Sequence, residues 1–246
     1  MSFGLQFKMV PGQVISQAFY QERPLPKTFL DKARKKDPEA FRFLHEGYIS
    51  SLENGSFNKA IGSRANDLLE WVKKQKEAKQ MIREAELHKK GVEKQWNGLK
   101  EKLLPWIEEL SGFQLPDFSL PVYVLHPKQR AGHYIANPPR IYWATGDKWK
   151  NYSSVYMCHE IMHFLTEKPG HNVRHAVLHA IIELATDNEI RIRLNKAPRK
   201  YTLEGHVELK VLREKCYPHW KKYLEKKTYR NILELAAHCS EKVKKK

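Results

Sequence analysis

Apolar positions along the chain follow three different regimes. From Asn58 to Leu110 the sequence is charged and helix-favouring, and Leu87, Val92, Trp96, Leu99, Leu103, Ile107 and Leu110 recur mostly every three or four residues. That period places them on one face of a helix. Leu68, Leu69, Val72, Met81 and Ile82 mark a poorer helix before it, with Gly91 as a candidate separator, and Pro105 predicts a kink or short break. An antiparallel helical hairpin over residues 57–112 is the simplest arrangement. A coiled coil for a partner is the alternative, but no heptad is sustained across four repeats.

The pattern changes at Gly112. Pro116, Pro121, Pro127, Pro138 and Pro139 interrupt any helix. Between them lie Val122–Leu125 and Ile141–Thr145, short β-branched and aromatic runs bounded by turn residues, which read as strands. Gly132–Ile135 is a candidate third. After Tyr152 the helical pattern returns, with Pro169-Gly170, Ala197-Pro198 and Tyr217-Pro218 as breaks. Residues 1–56 carry little periodicity. A short helix over Pro38–Leu52, capped by Asp37, is expected there, followed by a turn at Asn54-Gly55-Ser56. The expected fold is α+β in three consecutive segments: an N-terminal segment 1–56, the hairpin 57–112, and a mostly helical domain 113–246 with a small sheet.

With 246 residues, 41% of them hydrophobic, the chain has material for a sizeable core. No apolar run reaches the roughly 18 residues of a membrane span. Residues 1–8 lack the apolar stretch and cleavage site of a secretory signal. The three cysteines, Cys158, Cys216 and Cys239, form no Cys-x-x-Cys pair, so neither a disulfide framework nor a thiolate zinc site is expected. These features predict a soluble cytoplasmic protein with reduced thiols.

Charge adds one feature. The formal net charge is +16, and residues 196–246 hold 15 Lys/Arg against 6 Asp/Glu. The excess reads either as a solvated, solubilising surface or as a contact for nucleic acid or another polyanion through the basic C-terminal region. No RRM, KH or zinc-finger pattern accompanies it.

The candidate chemistry sits in the first late helix, at His159-Glu160-Ile161-Met162-His163. Two histidines four apart stand one turn above each other, so both imidazoles can meet one metal ion. Glu160, rotated by about 100°, can face a water at an open coordination position. Zinc suits nitrogen and oxygen ligands and redox-free chemistry. A third ligand must come from another element. In the stretch from Asn172 to Leu194, His175, His179, Glu183 and Asp187 recur every four residues beside an apolar face of Val173, Ala176, Val177, Ala180, Ile181 and Leu184. A stripe of His and carboxylate beside a buried face is expected where a helix supplies and supports metal ligands.

His-Glu-x-x-His, then Glu183 twenty residues after His163, then Asp187 four residues later, resembles the gluzincin metallopeptidases, of which thermolysin is the familiar case. The resemblance covers residues 141–194. It implies a zincin-like domain, zinc held by His159, His163 and Glu183, Glu160 as general base, and Asp187 orienting a zinc-binding imidazole, that of His159. It also implies a peptide or protein substrate. The metzincin pattern is absent, because Thr166 and Pro169 stand where its Gly and third His would be. Spacing does not place an oxyanion-stabilising residue; Tyr201, His206, Tyr217, His219, Tyr223 and Tyr229 are the candidates. His171 and His175 are rival third ligands, and Glu189 is rotated off the stripe. His179 reads equally as a pocket residue and as a buried, hydrogen-bonded histidine. Cys158 reads as a packing residue rather than a nucleophile. Ile141–Thr145 reads as a sheet edge for an extended peptide or as an ordinary core strand. The function expected is zinc-dependent peptide-bond hydrolysis. The alternative is a basic nucleic-acid-associated or scaffold protein with a zincin-like fold and no turnover.

Overall fold

The computed structural model describes residues 3–46, 59–167, 173–196 and 205–244. The fold is α+β, predominantly helical with a small mixed sheet. The chain divides into two compact units, one of residues 4–93 and 119–146, the other of residues 1–3, 94–118 and 147–246. This division cuts across the three consecutive segments expected from the sequence, because the strands after Gly112 join the N-terminal helices rather than the chain that follows them.

The first unit opens with strand β1 (Gly4–Lys8), followed by helices α1 (Pro11–Gln21), α2 (Lys27–Lys36) and α3 (Pro38–Glu46). The weak pattern of residues 1–56 thus conceals two helices, α1 and α2, before the expected α3. Tertiary burial makes them: Val14, Ile15, Phe19, Leu30, Phe41 and Leu44 close into one core, with the Phe19 and Phe41 rings stacked at 4.7 Å. Asp37 caps α3 as expected, its Oδ1 accepting the Ala40 N–H at 3.0 Å. The predicted turn at 54–56 lies outside the described residues.

Helix α4 (Lys59–Lys73) packs on α1, α2 and α3, burying Leu68, Leu69 and Val72. Helix α5 (Lys76–Asn97) follows after two residues. Its start is the separator, and the helix runs straight through Gly91. Val92 and Trp96 are buried as the periodicity requires, whereas Leu87 is exposed. Strands β2 (Ser119–Val124), β3 (Gly132–Ala136) and β4 (Pro139–Trp143) complete the sheet. The order is β1-β2-β4-β3, with β1 and β4 parallel to β2 and β3 antiparallel to β4. β4 is hydrogen-bonded on both sides, so residues 141–143 form an interior strand, not an edge open to a peptide.

The second unit is helical. Helix α6 (Lys100–Ser111) contains Pro105 without a break, and the interruption falls before it at Gly98-Leu99. A proline inside a helix costs about 3 kcal/mol. Leu103, Ile107 and Leu110, all fully buried, offset that cost at roughly 1.5–3 kcal/mol each. Helix α7 (Tyr152–Thr166) carries the His-Glu-x-x-His motif. Helix α8 (His175–Glu183) continues as a π-helical segment, Leu184–Ile190, and then as helix α9 (Arg191–Asn195). A 3-10 turn (Val207–Leu209) leads into helix α10 (Lys210–Lys226), and helix α11 (Ile232–Lys244) follows. The expected break at Tyr217-Pro218 is absent, since Cys216, Trp220 and Tyr223 anchor α10 on both sides of the proline. The breaks predicted at 169–170 and 197–198 lie outside the described residues. α8 packs against α7, α10 and α11, and α6 packs on α7 and the π-helical segment. Among the described residues no helix is long and apolar enough to cross a membrane.

Candidate metal centre

The motif helix is fixed at its start by two side chains from outside it. Asp147 Oδ1 accepts the Ser153 N–H at 3.0 Å and its hydroxyl at 2.7 Å. Gln95 Oε1 accepts the Ser154 N–H and hydroxyl, both at 2.9 Å. These contacts satisfy donors that the first turn of a helix leaves unpaired. The helix is buried almost all round, and His159 and Glu160 are both buried.

Three imidazoles converge on one point. Nε2 of His159 lies 3.1 Å from Nε2 of His163 and 3.2 Å from Nε2 of His179. The three form a group compact enough for a metal ion. Two nitrogens held at about 2.0–2.1 Å by a tetrahedral zinc would stand roughly 3.3 Å apart. Burial drives the pKa of His163 well below its usual value and that of His179 down to about 3. Both rings are therefore neutral at physiological pH, with lone pairs available. Nitrogen lone pairs facing one another in a buried site repel unless a proton or a cation lies between them, so the donor set fits a divalent cation.

His159 is also held from behind. Its Nδ1 faces Asp187 Oδ2 at 3.4 Å and Thr186 Oγ1 at 3.3 Å. The Thr186 hydroxyl donates to the Ile182 carbonyl at 2.8 Å, so its oxygen is left to accept from His159. Nδ1 thus carries the proton and Nε2 is the free ligand atom. Burial opposes charging His159, but Asp187 outweighs it and the pKa is raised. Asp187 reaches His159 from the π-helical segment, where the wider turn replaces the α-helical drift of the stripe.

Glu183 takes a different place from the one the resemblance implies. Oε1 accepts the backbone N–H of His206 at 2.7 Å and its Nδ1–H at 2.6 Å. Oε2 pairs with the guanidinium of Arg213, and both side chains are buried. Burial would raise the carboxyl pKa, but His206 and Arg213 together hold it below the usual carboxylate range. In return, the Glu183 hydrogen bond raises the pKa of His206. Glu183, His179 and His206 form a second compact group that shares His179 with the first.

The other candidates separate clearly. His175 is exposed, its ring 6.3 Å from that of His163, outside both compact groups. His171 and Tyr201 lie outside the described residues. Glu189 pairs with Arg193 at 2.7 Å. Of the oxyanion candidates, His206 reaches the site, Tyr223 donates to the Leu110 carbonyl at 3.1 Å, and His219 and Tyr229 pack against His238. The Cys158 thiol is fully buried and its pKa is raised by desolvation, as a packing residue requires. Glu160 lies close enough for its charge to raise the pKa values of both Tyr156 and His159.

A cavity of about 640 Å³ adjoins the cluster, lined by Trp149, Tyr152, Tyr156, His159, Asp187 and His206 among others. Tyr156 stacks on the His159 ring at 5.4 Å. Gly205 also lines it with φ +125°, and a Cβ there would stand 2.7 Å from the Glu183 carboxyl carbon. The sequence offered a signal for His179, its place in the stripe of four-residue steps. It offered none for Arg213, one of three arginines in the lysine-rich residues 196–246. No protein-family model, curated protein or solved structure matches the chain.

Proposed function

We propose that this chain is a zinc-dependent hydrolase of peptide bonds. The observation that carries the reading is the convergence of three Nε2 atoms, with the His159 ring oriented by Asp187. In this reading His159, His163 and His179 hold the ion. When bound, zinc polarises a carbonyl and makes a water more acidic. Glu160, adjacent to a ligand on α7, accepts the proton of the attacking water and passes it to the departing amine nitrogen. Glu183 accepts Nδ1–H of His206 and favours its protonated form, and only in that form does Nε2–H donate to the developing oxyanion from the wall of the cavity. Glu183 is then a positioning residue, and the third imidazole replaces the carboxylate that the resemblance implies as a ligand. Asp187 keeps the His159 tautomer that exposes Nε2.

The test combines metal analysis with a cleavage screen. The purified chain should hold about one zinc, the tetrahedral occupancy of a single site. A broad peptide library should yield cleavage products that a chelator abolishes and added zinc restores. A chain that binds no divalent metal, or a zinc-loaded chain that cleaves no peptide, would end the reading.

A further inference from the structure

We propose that a groove on the outer face of α5 docks a short acidic, amphipathic segment of another protein. The partner's aliphatic side chains fill the groove and its carboxylates meet the rim. The surface lies within the first compact unit and is independent of the imidazole cluster. α5 buries Met81, Ala85, Val92 and Trp96 on its core side. On the opposite side Lys76, Lys79, Arg83, Leu87 and Lys90 recur every three or four residues, and all five are exposed. Leu87, 59% exposed, thus stands in the middle of a cationic stripe. It is not an isolated apolar residue. Leu87 and Ile82 of α5 share one cavity with Met9 and Pro11, at the junction of β1 and α1. The cavity measures about 660 Å³, within the range of ligand clefts. Apolar surface left in water there is recovered as binding free energy when a partner side chain covers it.

Charge selects the partner. Lys73, Lys79, Arg83 and Lys90 line the same cavity, with Glu86 as the carboxylate among them. Lys73 pairs with Glu70 at 2.6 Å. Lys79, Arg83 and Lys90 form no ion pair among the described residues. Glu84, on the neighbouring turn, is engaged by His126 at 2.8 Å and by Gln80 at 3.0 Å. A second depression, of about 530 Å³, shares Lys79, Arg83 and Leu87 and adds Lys76, so positive charge continues round the leucine. From Lys79 to Lys90 the helix rises about 16 Å. Cations spread over that length match carboxylates distributed along a segment rather than one small anion. An amphipathic helix laid in such a groove presents anchors at intervals of three and four, with acidic flanks. Three other occupants fit less well. A bilayer takes up a broad protruding apolar face, and here most of the apolar surface is recessed between cations. Single-stranded nucleic acid stacks on aromatic rings, and none lines this groove. A second copy of the chain would bring its own net charge of +16 against the same cations.

The test uses the full chain and a fluorescein-labelled helical peptide of about 12 residues, the length that spans the groove. The peptide carries leucines at i, i+3, i+4 and i+7 and glutamates at the other positions. One control replaces its glutamates by lysine, another its leucines by serine. Fluorescence polarisation should show the acidic amphipathic peptide binding at least about tenfold tighter than either control. Leu87→Ser should weaken it by about tenfold, as for an anchor at the centre of an interface. The double variant Lys79→Glu, Arg83→Glu should reverse the order of the glutamate and lysine peptides. Lys215→Glu with Lys222→Glu, an equal charge change at exposed positions of the other unit, should leave that order intact. Circular dichroism melts check that each variant folds. Equal binding of the peptide and either control, binding unchanged by Leu87→Ser, or an order reversed equally by the distant variant would overturn the proposal. So would tighter binding to phosphatidylserine vesicles or to a single-stranded oligonucleotide that Lys79→Glu, Arg83→Glu abolishes. Self-association that Leu87→Ser abolishes, read by sedimentation, would assign the groove to a second copy and overturn it as well.

Discussion

Glu183 receives both the backbone N–H and the Nδ1–H of His206, at 2.7 and 2.6 Å, while its other oxygen pairs with Arg213. A carboxylate so fully engaged is spoken for, and it fixes His206 against the cavity. Glu183→Gln should therefore leave most of the zinc in place, while His179→Ala should remove it together with activity. Metal content by mass spectrometry separates the two. Zinc lost from Glu183→Gln and kept by His179→Ala would make Glu183 the third ligand.

Glu160 is expected to act on protons rather than on the metal. Glu160→Gln preserves shape and removes the basic oxygen. Hydrolysis should fall by roughly 10²–10⁴-fold. Zinc content and the melting temperature should stay near those of the parent chain. If the substitution strips the metal, the carboxylate is a ligand.

Asp187 works through His159. Asp187→Asn should weaken zinc affinity or activity by about 10–100-fold with the fold retained. An unchanged zinc affinity and rate, read by competition with a fluorescent chelator and by kcat/KM, would show that the 3.4 Å contact orients nothing.

Gly205 permits the Glu183–His206–Arg213 arrangement. An added methyl would stand 2.7 Å from the Glu183 carboxyl carbon and 2.8 Å from the Arg213 guanidinium, at a φ of +125°. Gly205→Ala should cost roughly 1–3 kcal/mol of stability, the range for a residue forced into such backbone. Denaturant unfolding measures it, and a neutral result would mean that the loop relaxes freely.

Acid and alkali should destabilise the metal-free chain through different histidines. Burial holds His179 down at about 3, so between the ordinary 6.5 and about 3 the unfolded chain takes up a proton that the folded chain refuses. That contribution is complete above the ordinary value and is lost as pH falls. His206 is held up by Glu183, so its contribution is present at low pH and is lost as pH rises through its raised value. Thermal melts between about pH 4 and about pH 9 should show both limbs. His179→Gln should flatten the acid limb and His206→Gln the alkaline one; the opposite assignment would refute the charge states.

Much of this was legible in the sequence because it is local. Two histidines four apart on a helix share a face by the geometry of the α-helix alone, so the pairing of His159 with His163 needs no tertiary information. The same holds for the Asp37 cap and for the three strands after Gly112, set by short β-branched runs between prolines. The interior position of β4 and the helices of the first unit depend on partners far along the chain, and so does the integrity of α6 and α10 through Pro105 and Pro218. In those two helices buried side chains on either side outweigh a hydrogen bond lost locally. The choice between His179 and Glu183 is of the same kind. Both lie on one stripe, one turn apart, and spacing treats them alike. Arg213, thirty residues on, and the loop at Gly205 bring a guanidinium and an imidazole to Glu183. A buried carboxylate takes whatever charged partners the packing delivers, because leaving it unpaired costs more than any local preference provides.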